Sequence, residues 1–221
     1  MDRTIEEAES YVSAKEVRIK TIENTLHSRG VSPERQYRIY GELFDEYQPF
    51  NYGKAVETLD KQMEIAMLLG DKSKLNDVYL KEAMLNTAAG EFLEARNDLA
   101  RVDTTIFTKE QEIAYCNVQQ RFWFDYDENQ KGADKSMLRK VAYYRERLLA
   151  LADPSSSLSR YETVRKYIDE KNFAQADFIN RHSLSRMDPA SHDYENLAYF
   201  QARICEPLNR WQEMQNWYFR S

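Results

Sequence analysis

Apolar side chains near the start of the chain fall at Ile5, Ala8, Val12, Ile19, Ile22 and Leu26, the three-and-four spacing that collects them on one helical face, with Lys15 as an interruption. Thr4 and Glu7 stand at capping-box spacing, so the pattern predicts a helix over residues 4–28. Gly30 closes it, and Ser32-Pro33 opens the next with an N-cap and a proline at the first helical position. The apolar stripe is expected to pack on the following helix pair, with a coiled-coil seam to a partner chain as the alternative.

The same periodicity continues, punctuated by Pro49-Phe50-Asn51, Gly70-Asp71, Gly90-Glu91, Asp103 to Thr108, Asn129 to Gly132, Asp153-Pro154-Ser155, Lys171-Asn172 and Asp188-Pro189. Thr108 and Gln111 form a second capping box. These signals cut the chain into segments of about 12 to 20 residues, and no sustained period-two run between hairpin turns competes with them. The fold class read from this is all-α.

Internal repetition refines the architecture. Asn51-Tyr52-Gly53-Lys54-Ala55-Val56-Glu57, Gly90-Glu91-Phe92-Leu93-Glu94-Ala95-Arg96 and Lys171-Asn172-Phe173-Ala174-Gln175-Ala176-Asp177 share a turn residue, an aromatic, two spacers and an alanine. Small Ala55, Ala95 and Ala176 let a second helix lie close on a first. Counting back from Ala95, Tyr79 takes the aromatic position of the preceding helix, Ala83 the small one and Gly90 the turn, with Leu99 facing the next helix. Tyr40, Leu43-Phe44 and Tyr47 serve an earlier unit, Val164 and Tyr167 a later one, and Ala198, Ala202 and Trp211 an incomplete fifth. Together these residues resemble the tetratricopeptide repeat (TPR), which implies a right-handed solenoid of antiparallel helix pairs. The domain reading is a helix over residues 1–30 packing on an array over residues 31–221, about four pairs plus the incomplete fifth. The stretch from Thr108 to Leu151 departs from the pattern, with a long first helix through Phe122-Trp123-Phe124, and is assigned a hairpin from its place in the series.

Tyr11, Lys15-Glu16-Val17-Arg18-Ile19, Leu43-Phe44-Asp45-Glu46-Tyr47 and Phe50 are similar, more narrowly, to the opening of the TPR-containing regulatory proteins of Bacteroidetes. That resemblance implies a periplasmic or envelope array acting as the sensory or docking half of a protein with a membrane span and a cytoplasmic output region. The aromatic helix from Trp211 to Ser221 carries no polar capping element, so further repeats are expected after it. Met1-Asp2-Arg3-Thr4-Ile5-Glu6-Glu7 does not read as a signal peptide; a cytoplasmic protein is the alternative to one without its targeting segment.

Composition narrows the partners. Six glycines and five prolines in 221 residues make long regular elements affordable, and 31 Lys plus Arg against 37 Asp plus Glu leave a formal charge of −6, which argues against direct nucleic-acid binding. Arg139, Lys140, Arg145 and Arg147 alternate with acids and apolar residues and read as a solvated helix face. Cys116 and Cys205 lack metal or redox spacing; buried free thiols are the commoner state, a bridge the alternative.

No catalytic constellation stands out. His27, His182 and His192 lie beside helix ends without a nucleophile, Gly53-Lys54 lacks the upstream glycines of a phosphate loop, and HExxH and CxxC are absent, so no metal or cofactor is assigned. Asp125-x-Asp127-x-Asn129 opens like a calcium loop, but Gln130 and Ser136 occupy the positions of its glycine and glutamate.

On the repeat register, Tyr161 and Arg165 correspond to Tyr199 and Arg203, each pair on one helical face. They suggest a concave ladder of hydroxyls and guanidinium forks for a carboxylate or an extended peptide, continued by Tyr115 and Gln119 with Trp123 as an apolar platform. The alternative is that the arginines pair with Glu162, Glu195 or Glu206. The functional reading is a non-catalytic scaffold that binds a protein or peptide in this groove. An all-helical enzyme using Asp125 and Asp127 as acid and base is one alternative; a self-assembling spacer, with homo-oligomer contacts through the first helix and the C-terminal end, is another.

Overall fold

The computed structural model describes residues 15–26, 28, 30–130, 134–189 and 191–220, and every long regular element among them is α-helical. Contacts divide the chain into two compact units, Met1–Gly132 and Ala133–Ser221, each built from TPR-like helix pairs.

In the first unit, α1 (15–26) leads into α2 (Pro33–Tyr47), α3 (Tyr52–Leu69), α4 (Lys72–Ala89), α5 (Phe92–Arg101), a single 3₁₀ turn (Thr104–Ile106) and α6 (Lys109–Asn129). Local chemistry places the boundaries. Ser32, Asn51, Asp71 and Thr108 each accept a hydrogen bond from a backbone N–H in the first turn they cap, and Thr108 with Gln111 completes the capping box. Gly70 and Gly90 end α3 and α4 at φ of 62° and 80°, the left-handed region that a side chain resists. The box at Thr4 and Glu7 lies outside the described residues.

Helix α1 packs on the first pair: Ile19, Ile22 and Leu26 join the core made by Ile39, Leu43, Phe44, Leu59 and Ile65. Arg18 pairs with Glu46 at 3.3 Å, and the Tyr47 hydroxyl donates to Glu23 at 3.1 Å. Ala55 and Ala95 are fully buried at the starts of α3 and α5, where a larger side chain would force the paired helices apart. Helix α4 touches α3, α5 and α6, so α2, α4 and α6 form one row of helices and α3 and α5 the other. Helix α5 stops after 10 residues, at Arg101. Asn76 explains this: its side chain accepts from Asp103 N at 2.8 Å and donates to Asp103 O at 2.9 Å, drawing the backbone out of the helix.

The second unit runs α7 (Lys135–Leu151), α8 (Ser157–Asp169), α9 (Phe173–Leu184), α10 (His192–Cys205) and α11 (Trp211–Tyr218). Its core contains Val164, Ala176, Leu197, Ala198 and Ile204. Lys171 takes the place that Gly70 and Gly90 hold in the first unit, at φ 57°.

One sequence expectation is corrected here. Arg139, Lys140 and Arg147 are exposed, but Arg145 is not part of a solvated face: it is 4% exposed and points toward α8, where Glu162 and Asp169 receive it at 3.1 and 2.7 Å. A partner in the next helix, invisible to periodicity within α7, decides its burial.

Candidate functional site

The row α2, α4 and α6 of the first unit bounds an open groove of about 600 Å³. Helix α2 contributes Arg38, Gly41, Glu42, Phe44 and Asp45; α4 contributes Asp77, Leu80, Lys81 and Met84; α6 contributes Ala114, Asn117 and Val118. The floor rests on a close approach. A Cβ at Gly41 would lie 2.8 Å from Gln62 Nε2 and 3.4 Å from Lys81 Nζ, so glycine in mid-helix leaves the Gln62 amide its room against the α2 backbone, with Lys81 Nζ at ordinary contact distance beside it. Gln62, on α3 and 1% exposed, donates through Nε2 to Tyr37 O at 2.8 Å, which orients its carbonyl oxygen toward Lys81. The Lys81 ammonium donates to that oxygen at 3.5 Å and lies 5.1 Å from the Phe44 ring centroid.

The wall formed by α6 is held in place by Gln111. Its Nε2 donates to Ser73 O at 2.8 Å, Ser73 Oγ at 2.9 Å and Asp77 Oδ1 at 2.6 Å, tying the start of α6 to the first turns of α4. On the other wall the Tyr37 hydroxyl donates to Lys74 O at 3.0 Å. The groove is electrostatically uneven. Burial pulls the Lys81 ammonium below the usual lysine range despite Asp45 and Asp77 nearby. Burial likewise raises the Asp77 carboxyl, opposed by the Gln111 hydrogen bond, and raises the Tyr37 phenol.

On the opposite side of α4, a smaller hollow of about 300 Å³ holds Glu82, Asp98 and Arg101. Burial, with the Asp98 charge second, pushes the Glu82 carboxyl up to about 7 against the pull of Arg101. In the second unit a hollow of about 280 Å³ between α8 and α10 is lined by Ser157, Arg160, Tyr161, Asp193 and Leu197 among others.

The family description that matches this sequence is the SusR N-terminal TPR domain, over residues 5–221. The chain belongs to that family. No curated protein matches it. TPR domains are protein-interaction scaffolds and generally non-catalytic. Among the described residues of this TPR domain, no helix is long and apolar enough to cross a membrane, and no group of histidine, cysteine, aspartate and glutamate is arranged to hold a metal ion.

The residues singled out from sequence have definite places in the TPR domain. Tyr115, Gln119 and Trp123 follow one another along α6 as a hydrogen-bonded run: Gln119 Nε2 donates to the Tyr115 hydroxyl at 2.8 Å, and Trp123 Nε1 donates to Gln119 Oε1 at 3.0 Å. They share a helix with Ala114, Asn117 and Val118, which line the groove. In the second unit Tyr161 packs on Phe200 at a centroid separation of 4.7 Å, and Arg165 ion-pairs at 3.5 Å with Glu162, a buried carboxylate. Tyr199 is 45% exposed and faces Tyr218, and Arg203 is exposed one turn further along α10.

The remaining candidates separate in the same way. Asp125, Asp127 and Asn129 lie within the continuous helix α6, where a step of two residues turns side chains by about 200°. Asp125 pairs with Arg121, while Asp127 is buried. His182 is exposed against Phe178, whereas His27 and the side chain of His192 lie outside the described residues. Cys116 and Cys205 are buried thiols outside any disulfide, in different units. Sequence reasoning missed the Gly41–Gln62–Lys81 floor. Its signals were a glycine inside the α2 periodicity and a lysine between the buried positions Leu80 and Ala83.

Proposed function

We propose that this TPR domain is a non-catalytic binding module that takes a segment of a partner protein into the groove between α2, α4 and α6, as the sensory or docking part of a larger regulatory protein of the cell envelope. The observation that carries the reading is the groove floor. A mid-helix glycine costs about 0.5–1 kcal/mol against alanine, and here it gives room to the Gln62 amide, whose oxygen meets Lys81 in an open hollow. Apolar Phe44, Leu80, Met84 and Val118 supply burial for a ligand, and polar groups around them supply orientation. The family's description as an N-terminal domain supports a role as one part of a longer protein. Occupancy would then alter an output by favouring one of two states, which requires a difference in ligand affinity between them. Exposure of Tyr199 and Arg203 supports α10 as a second proposed contact.

In-cell crosslinking tests this. A photo-reactive residue in place of Arg38, on the groove wall, should capture a defined partner that the same residue in place of Leu68 does not; Leu68 is 75% exposed and lines no part of the groove. Equal capture at both positions, or none at either, overturns the groove assignment.

A further inference from the structure

We infer that the Lys81 ammonium is the anchor for the side-chain carboxylate of a single acidic residue, carried on an extended peptide whose flanking residues are basic. The inference deepens the proposed function and rests on the groove being the binding surface.

An ammonium has three donors, and among the described residues Lys81 has one long hydrogen bond, to Gln62 Oε1 at 3.5 Å. Among the described residues no carboxylate lies within ion-pairing distance of it. Asp77, one turn earlier on α4, is turned toward α6, where Gln111 holds its Oδ1 at 2.6 Å, and Asp45 is exposed on α2. The remaining donors therefore face the groove. A charge that the fold has already partly desolvated gains more from a ligand carboxylate than a surface lysine does, because less of its hydration remains to be lost.

The surroundings set what else the peptide carries. Glu42, Asp45 and Asp77 line the groove around Lys81 against one guanidinium, that of Arg38. A polyacidic segment would meet those carboxylates, whereas one acidic residue between basic ones places each charge against its opposite. A lone ammonium at the floor, reached between α2 and α6, fits a side chain descending from a peptide that runs across the mouth. Apolar residues beside the acid would meet Phe44, Leu80, Met84 and Val118.

The test uses two labelled peptide pools, acetyl-Lys-Xaa-Glu-Xaa-Lys-amide and its Gln counterpart, with Xaa an equal mixture of Leu, Val, Phe and Ala. Binding to the full chain is read by fluorescence anisotropy and by the Lys81 Nζ resonance. The Glu pool should bind about tenfold more tightly than the Gln pool. K81M should abolish that preference while keeping the circular dichroism and melting temperature of the parent, since methionine fills the same volume without a buried charge. Charge reversal at Glu42 and Asp45 should weaken binding of both Lys-flanked pools while leaving the Glu-over-Gln preference in place. A Glu preference that survives K81M, or equal binding of both pools, overturns the Lys81 assignment and leaves the groove as the binding surface. Failure of both pools to bind overturns the groove reading as well.

Discussion

Arg145 on α7 donates through Nε to Glu162 on α8 at 3.1 Å, and the two side chains are 5% and 2% exposed. Glu162 also receives Arg165 at 3.5 Å, and Arg145 reaches Asp169 at 2.7 Å, so one buried carboxylate and its neighbours join α7 to α8. Removing one member of a buried pair costs more than the pair contributes, because the other stays desolvated. Arg145→Ala is expected to lower the unfolding free energy by about 3 kcal/mol, measured by urea denaturation. Arg145→Met with Glu162→Gln should recover most of that loss. Equal destabilisation by the single and double variants would show that packing, and not charge, is what Arg145 supplies.

Glu82 makes stability depend on pH near neutrality. Its folded-state pKa, about 7, lies above the unfolded reference of 4.5, so the folded chain binds the proton more tightly. This contribution is fully present below the unfolded value and is lost as pH rises through the folded one. Burial is the main cause of the rise; Asp98 and Asp60 add to it by opposing ionisation, and Arg101, at 3.7 Å, favours ionisation. Glu82→Gln should therefore raise the melting temperature at pH 8 and leave it nearly unchanged at pH 4. A variant equally stabilised at both pH values would mean that the carboxylate is not what weakens the native state.

Lys171 occupies the left-handed region at φ 57° in the turn before α9. The strain of a side chain there is roughly 1–2 kcal/mol, and the entropy a glycine adds to the unfolded chain offsets about 0.4–1 of it. Lys171→Gly is expected to stabilise the protein by about 0.5–1 kcal/mol, read from the denaturant midpoint. At Ala176, fully buried on the following helix, the opposite holds: Ala176→Leu should cost about 1–3 kcal/mol by overpacking.

Cys116 and Cys205 are fully buried thiols outside any disulfide, and burial pushes the Cys205 thiol up, away from the reactive thiolate. A chromogenic thiol reagent should find both unreactive in the native chain and both available in denaturant without reductant. Fewer than two in denaturant would indicate a bond between them.

Much of the fold was legible because its signals are local. A serine, asparagine, aspartate or threonine before an apolar run satisfies the free N–H groups of the next helix whatever surrounds it, as at Ser32, Asn51, Asp71 and Thr108. Gly70 and Gly90 end helices through their own backbone freedom. Ala55, Ala95 and Ala176 recur because each pair needs a small residue where its helices approach. The capping and packing pattern therefore carries the family resemblance by itself.

The candidate site was less legible, since it depends on distances between elements far apart in sequence. Lys81 and Arg145 are both basic residues inside helices, and the periodicity of α4 and α7 does not say which partner in another helix each will meet. Gly41, Gln62 and Phe44 bring Lys81 down to a groove floor, while Glu162 and Asp169 draw Arg145 inward. Helix limits and pairing residues thus follow from sequence alone, through hydrogen bonding and volume over a few residues. Which charges are buried, and which face an open groove, tertiary packing decided, because desolvation is set by whatever remote side chains the fold brings near.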